Sequence, residues 1–267
     1  MCSAGGPIVS VSKGLRPPVQ AVLLHGFTGS SRSWGDPVID AMREQGILPI
    51  ALDLPGHGPR AEAPSRGFTL DDAIAAVDAK TRNLDHYDLI GYSMGGRIAL
   101  HVALARPDRV RKLVLESASP GLSSNEDRIE RREGDSQLAT SIEREGIANF
   151  VERWEKLAIF ASQKGLPPEV RNRVRNQRME NKPAALACAL RGLGTGTLSS
   201  LWDRLECVEC PTLLIVGASD IKFVSIARKM ESFIPHACLV EVEGVGHAVH
   251  LESPEMWLQS IVPFLLG

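Results

Sequence analysis

Gly91-Tyr92-Ser93-Met94-Gly95 is the stretch of this 267-residue chain with the clearest chemical content. A serine hydroxyl is a poor base and a poor nucleophile until a histidine can take its proton. The histidine in turn needs a carboxylate to fix its tautomer. Both partners occur downstream, in the order Ser93, Asp220, His247, within Gly217-Ala218-Ser219-Asp220 and Gly244-Val245-Gly246-His247. The competitors are weaker. His250 lies three residues beyond His247, toward the final helix. Asp53, in Asp53-Leu54-Pro55-Gly56-His57-Gly58, precedes the serine, and with His57 it suits the bracing of a loop. His86, His101 and His236 sit in helical or turn contexts and fit ordinary surface or core positions. The expected catalytic set is therefore Ser93, His247 and Asp220.

A serine lifted on a tight strand-to-helix turn needs small residues two positions to either side, which Gly91 and Gly95 supply. The Met94 amide then points at the reacting oxygen with the helix dipole behind it. The Phe27 amide, in His25-Gly26-Phe27-Thr28-Gly29, is the expected second oxyanion donor, with His25 holding that loop in shape. Arg97 lies four residues beyond Ser93, so a helix starting at the serine brings it to the same pocket. Arginine is the side chain that grips carboxylates bidentately. Further along come Arg128, Arg131, Arg132, Arg171, Arg173, Arg175 and Arg178, interspersed with Glu126, Glu130, Glu133 and Glu169 as on a solvated helix face. Spacing alone does not select among them. Tyr92 suits either substrate contact or packing, and Trp154 either a pocket wall or a core position.

Positioning these residues requires strands that end at one edge. Short β-branched runs at Ala21–Leu24, Leu48–Leu52, Tyr87–Ile90, Lys112–Leu115, Thr212–Val216 and Cys238–Val242 read as strands. Between them, Ser33–Glu44, Leu70–Leu84, Gly95–Ala105, Ile221–Phe233 and Pro254–Leu265 read as helices. The alternation predicts an α/β fold, a mostly parallel central sheet flanked by helices. From Gly121 to about Ser200 the chain is charged, helix-prone and free of convincing strands. The expected organisation is a core from residues 1–120 and 201–267 with a helical cap inserted at 121–200.

Composition narrows the partners. With 43% hydrophobic residues and a formal net charge of −2, the chain suits a single globular core and has no general attraction to nucleic acid or anionic membrane. The start, Met1-Cys2-Ser3-Ala4-Gly5-Gly6-Pro7, lacks the basic and apolar regions of a secretory signal, and no apolar run reaches the ~20 residues of a membrane span. The expectation is a cytoplasmic protein acting on a small molecule, and the oligomeric state is not legible. Five cysteines at irregular spacing make a poor disulfide framework. Cys207 and Cys210 form a Cys-x-x-Cys with no second pair from Cys2, Cys188 or Cys238, which points to chance placement and to no metal.

These motifs identify an α/β-hydrolase-fold chain over essentially its whole length. Within that superfamily, Gly91-Tyr92-Ser93-Met94-Gly95-Gly96-Arg97-Ile98-Ala99-Leu100 resembles the elbow of the 2-succinyl-6-hydroxy-2,4-cyclohexadiene-1-carboxylate synthases of menaquinone and phylloquinone biosynthesis. So do Glu116-Ser117-Ala118-Ser119-Pro120-Gly121-Leu122 with Arg128-Ile129-Glu130-Arg131, Trp154 with Phe160-Ala161-Ser162, Arg178 before Asn181 and Leu186-Ala187, and Asp220-Ile221-Lys222-Phe223. Ser119 departs from relatives that carry histidine there. The resemblance implies a lyase without cofactor or metal. It removes a ring proton from 2-succinyl-5-enolpyruvyl-6-hydroxy-3-cyclohexene-1-carboxylate and expels pyruvate, with no acyl-enzyme. It also implies that Arg97, Arg131 and Arg178 hold this polycarboxylate. The alternatives are a carboxylesterase or C–C bond hydrolase with the same triad as nucleophile, and a non-catalytic ligand-binding receptor, against which an intact triad counts.

Overall fold

The computed structural model describes residues 18–267, so Cys2 and the start of the chain lie outside the described residues. Six strands form one sheet: β1 Val19–Leu24, β2 Ile47–Leu52, β3 Tyr87–Tyr92, β4 Val110–Glu116, β5 Thr212–Gly217 and β6 Ala237–Val242. Their order is β2-β1-β3-β4-β5-β6, and every neighbouring pair is parallel. The sheet is thus wholly parallel where a mostly parallel one was expected. Parallel strands need covered faces, and side-chain alternation divides the core accordingly. Leu24, Leu89, Leu115 and Val216 face one way, toward α2 Leu70–Thr81, α3 Met94–Ala105 and α7 Ile221–Glu231. Leu23, Ile90, Val114 and Ile215 face the other, toward α1 Asp36–Glu44 and α9 Pro254–Leu266.

Three expected helices come out shorter. The Ser33–Glu44 helix is split by Gly35, whose φ of 72° is not helical. A 3-10 turn at Ser31–Trp34, capped by the Ser30 side chain, precedes it, and α1 starts after it. The second helix stops at Thr81, whose hydroxyl donates back to the Val77 carbonyl. The helix begun at Ile221 stops at Glu231, and a turn from Met230 takes up Phe233.

Between β4 and β5 the chain forms α4 Asn125–Trp154, a 3-10 segment at Ala158–Gly165, α5 Pro168–Met179 and α6 Pro183–Leu193, with no strand. Gly146, at φ 79° and ψ 169°, breaks α4. This segment has its own small core of Ala139, Ile142, Phe150, Val151, Leu186 and Leu190. A single turn, α8 Val249–Glu252, follows β6. Among the described residues no helix is long and apolar enough to cross a membrane.

The chain leaves β1 to one side for β2 and returns to its other side for β3. That reversal opens a crevice at the carboxyl ends of β1 and β3, where open α/β sheets bind ligands. The loop from His25 and the turn at Ser93 leave these two ends.

Candidate active site

Ser93 joins β3 to α3 with φ 53° and ψ −113°, a strained conformation for a residue with a side chain. The flanking glycines make the turn feasible. A Cβ on Gly91 would come within 2.5 Å of the Gly95 carbonyl oxygen, and one on Gly95 would collide with the carbonyl oxygen of Leu24. The Ser93 N–H donates to the Glu116 carbonyl at 2.8 Å, tying the turn to β4.

His247 Nε2 lies 3.0 Å from Ser93 Oγ, and its Nδ1 lies 2.6 Å from Asp220 Oδ2. The carboxylate accepts from Nδ1–H, which leaves Nε2 bare toward the serine hydroxyl. Asp220 also caps α7, accepting from the Phe223 N–H at 3.5 Å. The arrangement can pass a proton from the serine to the imidazole and return it.

The amides of Phe27 and Met94 donate to no protein acceptor among the described residues, and both residues line the cavity with Ser93. His25 is wholly buried. The Leu54 N–H donates to its Nε2 at 3.0 Å, so Nδ1 carries the proton and donates to the Gly26 carbonyl at 2.8 Å. Burial pushes His25 down to about 4 and His57 to about 3. Both are structural imidazoles, and Asp53 braces the same region by accepting from the Ser31 N–H at 2.6 Å.

The cavity above Ser93 measures about 440 Å³. Arg97, Arg131 and Arg178, with Tyr92 and Trp154, all line it. Arg97 is buried and forms no direct ion pair with an acid among the described residues; its terminal nitrogens donate to Thr195 Oγ1 at 2.5 Å and to the Leu193 carbonyl at 3.0 Å. Its Nε has no partner, and burial, with Arg131 nearby, lowers it to about 10. Arg131 is more exposed, and its Nε donates to Asp135 Oδ1 at 2.8 Å. Arg178 is buried, with Nη1 3.2 Å from Glu155 Oε1 and its guanidinium 5.0 Å from the Phe160 ring centre. Tyr92 has its phenol raised well above the usual value by burial first and by the Glu116 charge second, so it stays protonated. Trp154 walls the cavity with Phe27 and Phe160 at ring distances of 5.4 and 5.8 Å.

The alpha/beta hydrolase family model matches residues 21–259. The chain belongs to the alpha/beta hydrolase family. It is 38% identical, over 96% of its length and 97% of the other, to a candidate 2-succinyl-6-hydroxy-2,4-cyclohexadiene-1-carboxylate synthase of Bacillus subtilis (strain 168). It is 31% identical to the synthase of that name from Salmonella paratyphi B (strain ATCC BAA-1250 / SPB7), over 91% of this chain and 92% of that one. Among solved structures it resembles MenH from S. aureus, with TM-score 0.88, 35% identity and 95% of both chains covered. The resemblance read from the sequence is the one these comparisons return.

Other residues around this alpha/beta hydrolase site were not signalled by sequence. Asp135 and Glu155 take the arginine ion pairs, rather than the glutamates interspersed among the arginines. The Arg131–Asp135 spacing of four was readable, whereas Glu155 reaches Arg178 across a change of direction that no local pattern announces. His250, the competitor for the triad position, is instead anchored to buried Glu116, with Nδ1 at 2.7 Å from Oε1. The Trp257 indole donates to the other carboxylate oxygen at 2.9 Å. Arg132, Arg171 and Arg173 are exposed and outside the cavity lining. No cluster of potential metal ligands occurs among the described residues, where Cys188, Cys207, Cys210 and Cys238 are free thiols.

Proposed function

We propose that this enzyme eliminates pyruvate from 2-succinyl-5-enolpyruvyl-6-hydroxy-3-cyclohexene-1-carboxylate to give 2-succinyl-6-hydroxy-2,4-cyclohexadiene-1-carboxylate, a step of menaquinone biosynthesis. The observation that carries this reading is the lining of a single cavity by Ser93, His247 and three arginines. A pocket for neutral esters gains nothing from three cations, whereas a polycarboxylate needs them. The synthase names of the relatives agree with it.

Ser93 Oγ takes the ring proton as its own proton passes to His247 Nε2, and Asp220 offsets the imidazolium charge. The electron pair moves through the ring, the bond from carbon to the enolpyruvyl oxygen breaks, and His247 returns the proton as the leaving group becomes pyruvate. The Phe27 and Met94 amides stabilise the enolate oxygen that gains charge meanwhile. Arg97, Arg131 and Arg178 hold the carboxylates. Tyr92 and Trp154 shape the pocket between them. Residues 121–200 act as a cap over the core formed by the flanking segments.

The test is pyruvate release from the enolpyruvyl substrate beside hydrolysis of a p-nitrophenyl ester. Pyruvate release without ester turnover is expected, with Ser93→Ala slower by several orders of magnitude because the triad acts as a unit. Ester turnover without pyruvate release would overturn the lyase reading in favour of a nucleophilic serine.

A further inference from the structure

One buried side chain joins the helical segment to the loop that carries Phe27, and the chemistry above leaves it unused. Asn181 follows α5 and is 2% exposed. Its Oδ1 accepts from the Gly58 N–H at 3.0 Å, while Nδ2 donates to the Thr28 carbonyl at 2.8 Å and to the Arg178 carbonyl at 3.1 Å. Its acceptor and both its donors are therefore engaged, and all three contacts are to backbone.

Thr28 sits at φ 71°, the left-handed region that a residue with a β-branched side chain adopts only when its surroundings impose it. The residue before it, Phe27, lines the cavity with Ser93 and carries the amide proposed above as an oxyanion donor. Because peptide units are planar and trans, fixing a carbonyl fixes the direction of the N–H across the same bond. The Gly26 carbonyl, whose plane contains the Phe27 N–H, accepts from His25 Nδ1 at 2.8 Å and from the Gly29 N–H at 3.0 Å. On the far side of Phe27, the Thr28 carbonyl is taken by Asn181. Fixing the Thr28 carbonyl fixes the Gly29 N–H across the same bond, and that N–H donates to the Gly26 carbonyl in the plane of the Phe27 amide, so the Asn181 clamp reaches the amide from the helical segment through this bond. The same Nδ2 holds the Arg178 backbone, so one amide group spans the arginine and the oxyanion loop.

We infer that Asn181 is a positioning residue that sets the Phe27 amide through Thr28 and keeps it in register with Arg178. The inference rests on the proposed reading of Phe27 as an oxyanion donor.

Asn181→Asp tests it. The size and the acceptor facing Gly58 are retained, and the donors to Thr28 and Arg178 are replaced by an oxygen that repels both carbonyls. The expected result is a fall in kcat for pyruvate release of about 10- to 100-fold with KM changed less than about 3-fold. A phenylboronic acid, which bonds to Ser93 Oγ and places an oxyanion at the two amides, should lose affinity by a similar factor. If Asn181→Asp does not fold, Asn181→Ala, without the repulsion, carries the same two measurements. A lower melting temperature with kcat and boronate affinity unchanged would make the residue merely structural and overturn the inference. So would a raised KM with unchanged kcat, which would mean action through Arg178 alone. A wild-type protein that binds the boronate but releases no pyruvate defeats the proposed reaction, and the boronate comparison still decides on Asn181. A wild-type protein that binds no boronate overturns the oxyanion-donor premise and with it the inference on Asn181, while pyruvate release still decides on the reaction.

Discussion

Arg97 stands out among the three arginines because, among the described residues, it is buried without a direct ion pair, the Asp135 charge reaching it only from a distance. Its hydrogen-bond partners are a hydroxyl and a carbonyl, which satisfy N–H groups but carry no countercharge, and the pull of Asp135 is outweighed by burial and the push of Arg131. A buried cation of this kind favours an anionic ligand, and its charge is most useful while a substrate carboxylate is bound. Arg97→Ala is expected to raise KM for the polycarboxylate by about 10- to 100-fold, the worth of one charge-assisted hydrogen-bonded contact, with a smaller effect on kcat. Steady-state kinetics of pyruvate release check this, and an unchanged KM would remove Arg97 from the carboxylate clamp. Arg97→Lys should recover only part of the loss, since one ammonium cannot reproduce a planar fork held at two points. The meeting of Ser93, His247 and Asp220, and the opening of Arg97 onto the same cavity as Ser93, were legible in the chain because each obeys a local rule: a turn motif, the end of a strand, one helical turn. Glu155 and the pairing of Glu116 with His250 were not, because their roles arise from contacts between elements. Glu116 and His250 are 134 residues apart.

The strand–turn–helix unit of β3, Ser93 and α3 sets the site, and its tolerance to change is uneven. Gly95 packs directly on the backbone of β1, where an added Cβ would meet the Leu24 and His25 carbonyls. Neither can withdraw without disturbing the central strands. Gly95→Ala should therefore cost at least the ~1–3 kcal/mol typical of overpacking, and displace the serine as well. Gly134, within α4, has nothing within 4 Å of an added Cβ. Gly134→Ala should stabilise the protein by about 0.5–1 kcal/mol through helix propensity alone. Urea unfolding of the two variants measures both signs, and a neutral Gly95→Ala would show that the turn relaxes more readily than its packing implies. Element identity in the sheet and its flanking helices was readable, since the short apolar runs of β1 and β3, buried along most of their length, differ from the longer helical stretches such as α3 and α9. Element ends were less so. Gly35 falls inside the helix expected at Ser33–Glu44, but its positive φ divides the turn at Ser31–Trp34 from α1.

Across the whole molecule, burial keeps three imidazoles neutral well below their ordinary titration range. Burial lowers His25 and His101 to about 4 and His57 to about 3, with Arg97 and Arg204 adding to the effect on His101 and His25 adding to that on His57. In the unfolded chain each would bind a proton near pH 6.5. Between that value and about pH 4 the unfolded state therefore binds three protons that the native state refuses, and stability falls as pH falls. Asp88 acts in the opposite sense. Its burial at the Arg111 pair raises it to about 6, so below that pH the native state binds a proton the unfolded state does not. The net difference is about two protons in the window from pH 6 to pH 4, or roughly 3 kcal/mol of stability lost per pH unit. Urea midpoints taken from pH 8 to pH 5 should be flat above about pH 7 and then decline steeply. His101 is the imidazole that can be removed without touching the oxyanion loop, and His101→Gln should shallow the decline by one proton while leaving the plateau's pH range unchanged. A wild-type profile that stays level down to pH 5 would mean that water or backbone adjustment lets these imidazoles charge in place, and the acid sensitivity would then have to come from the exposed carboxylates alone.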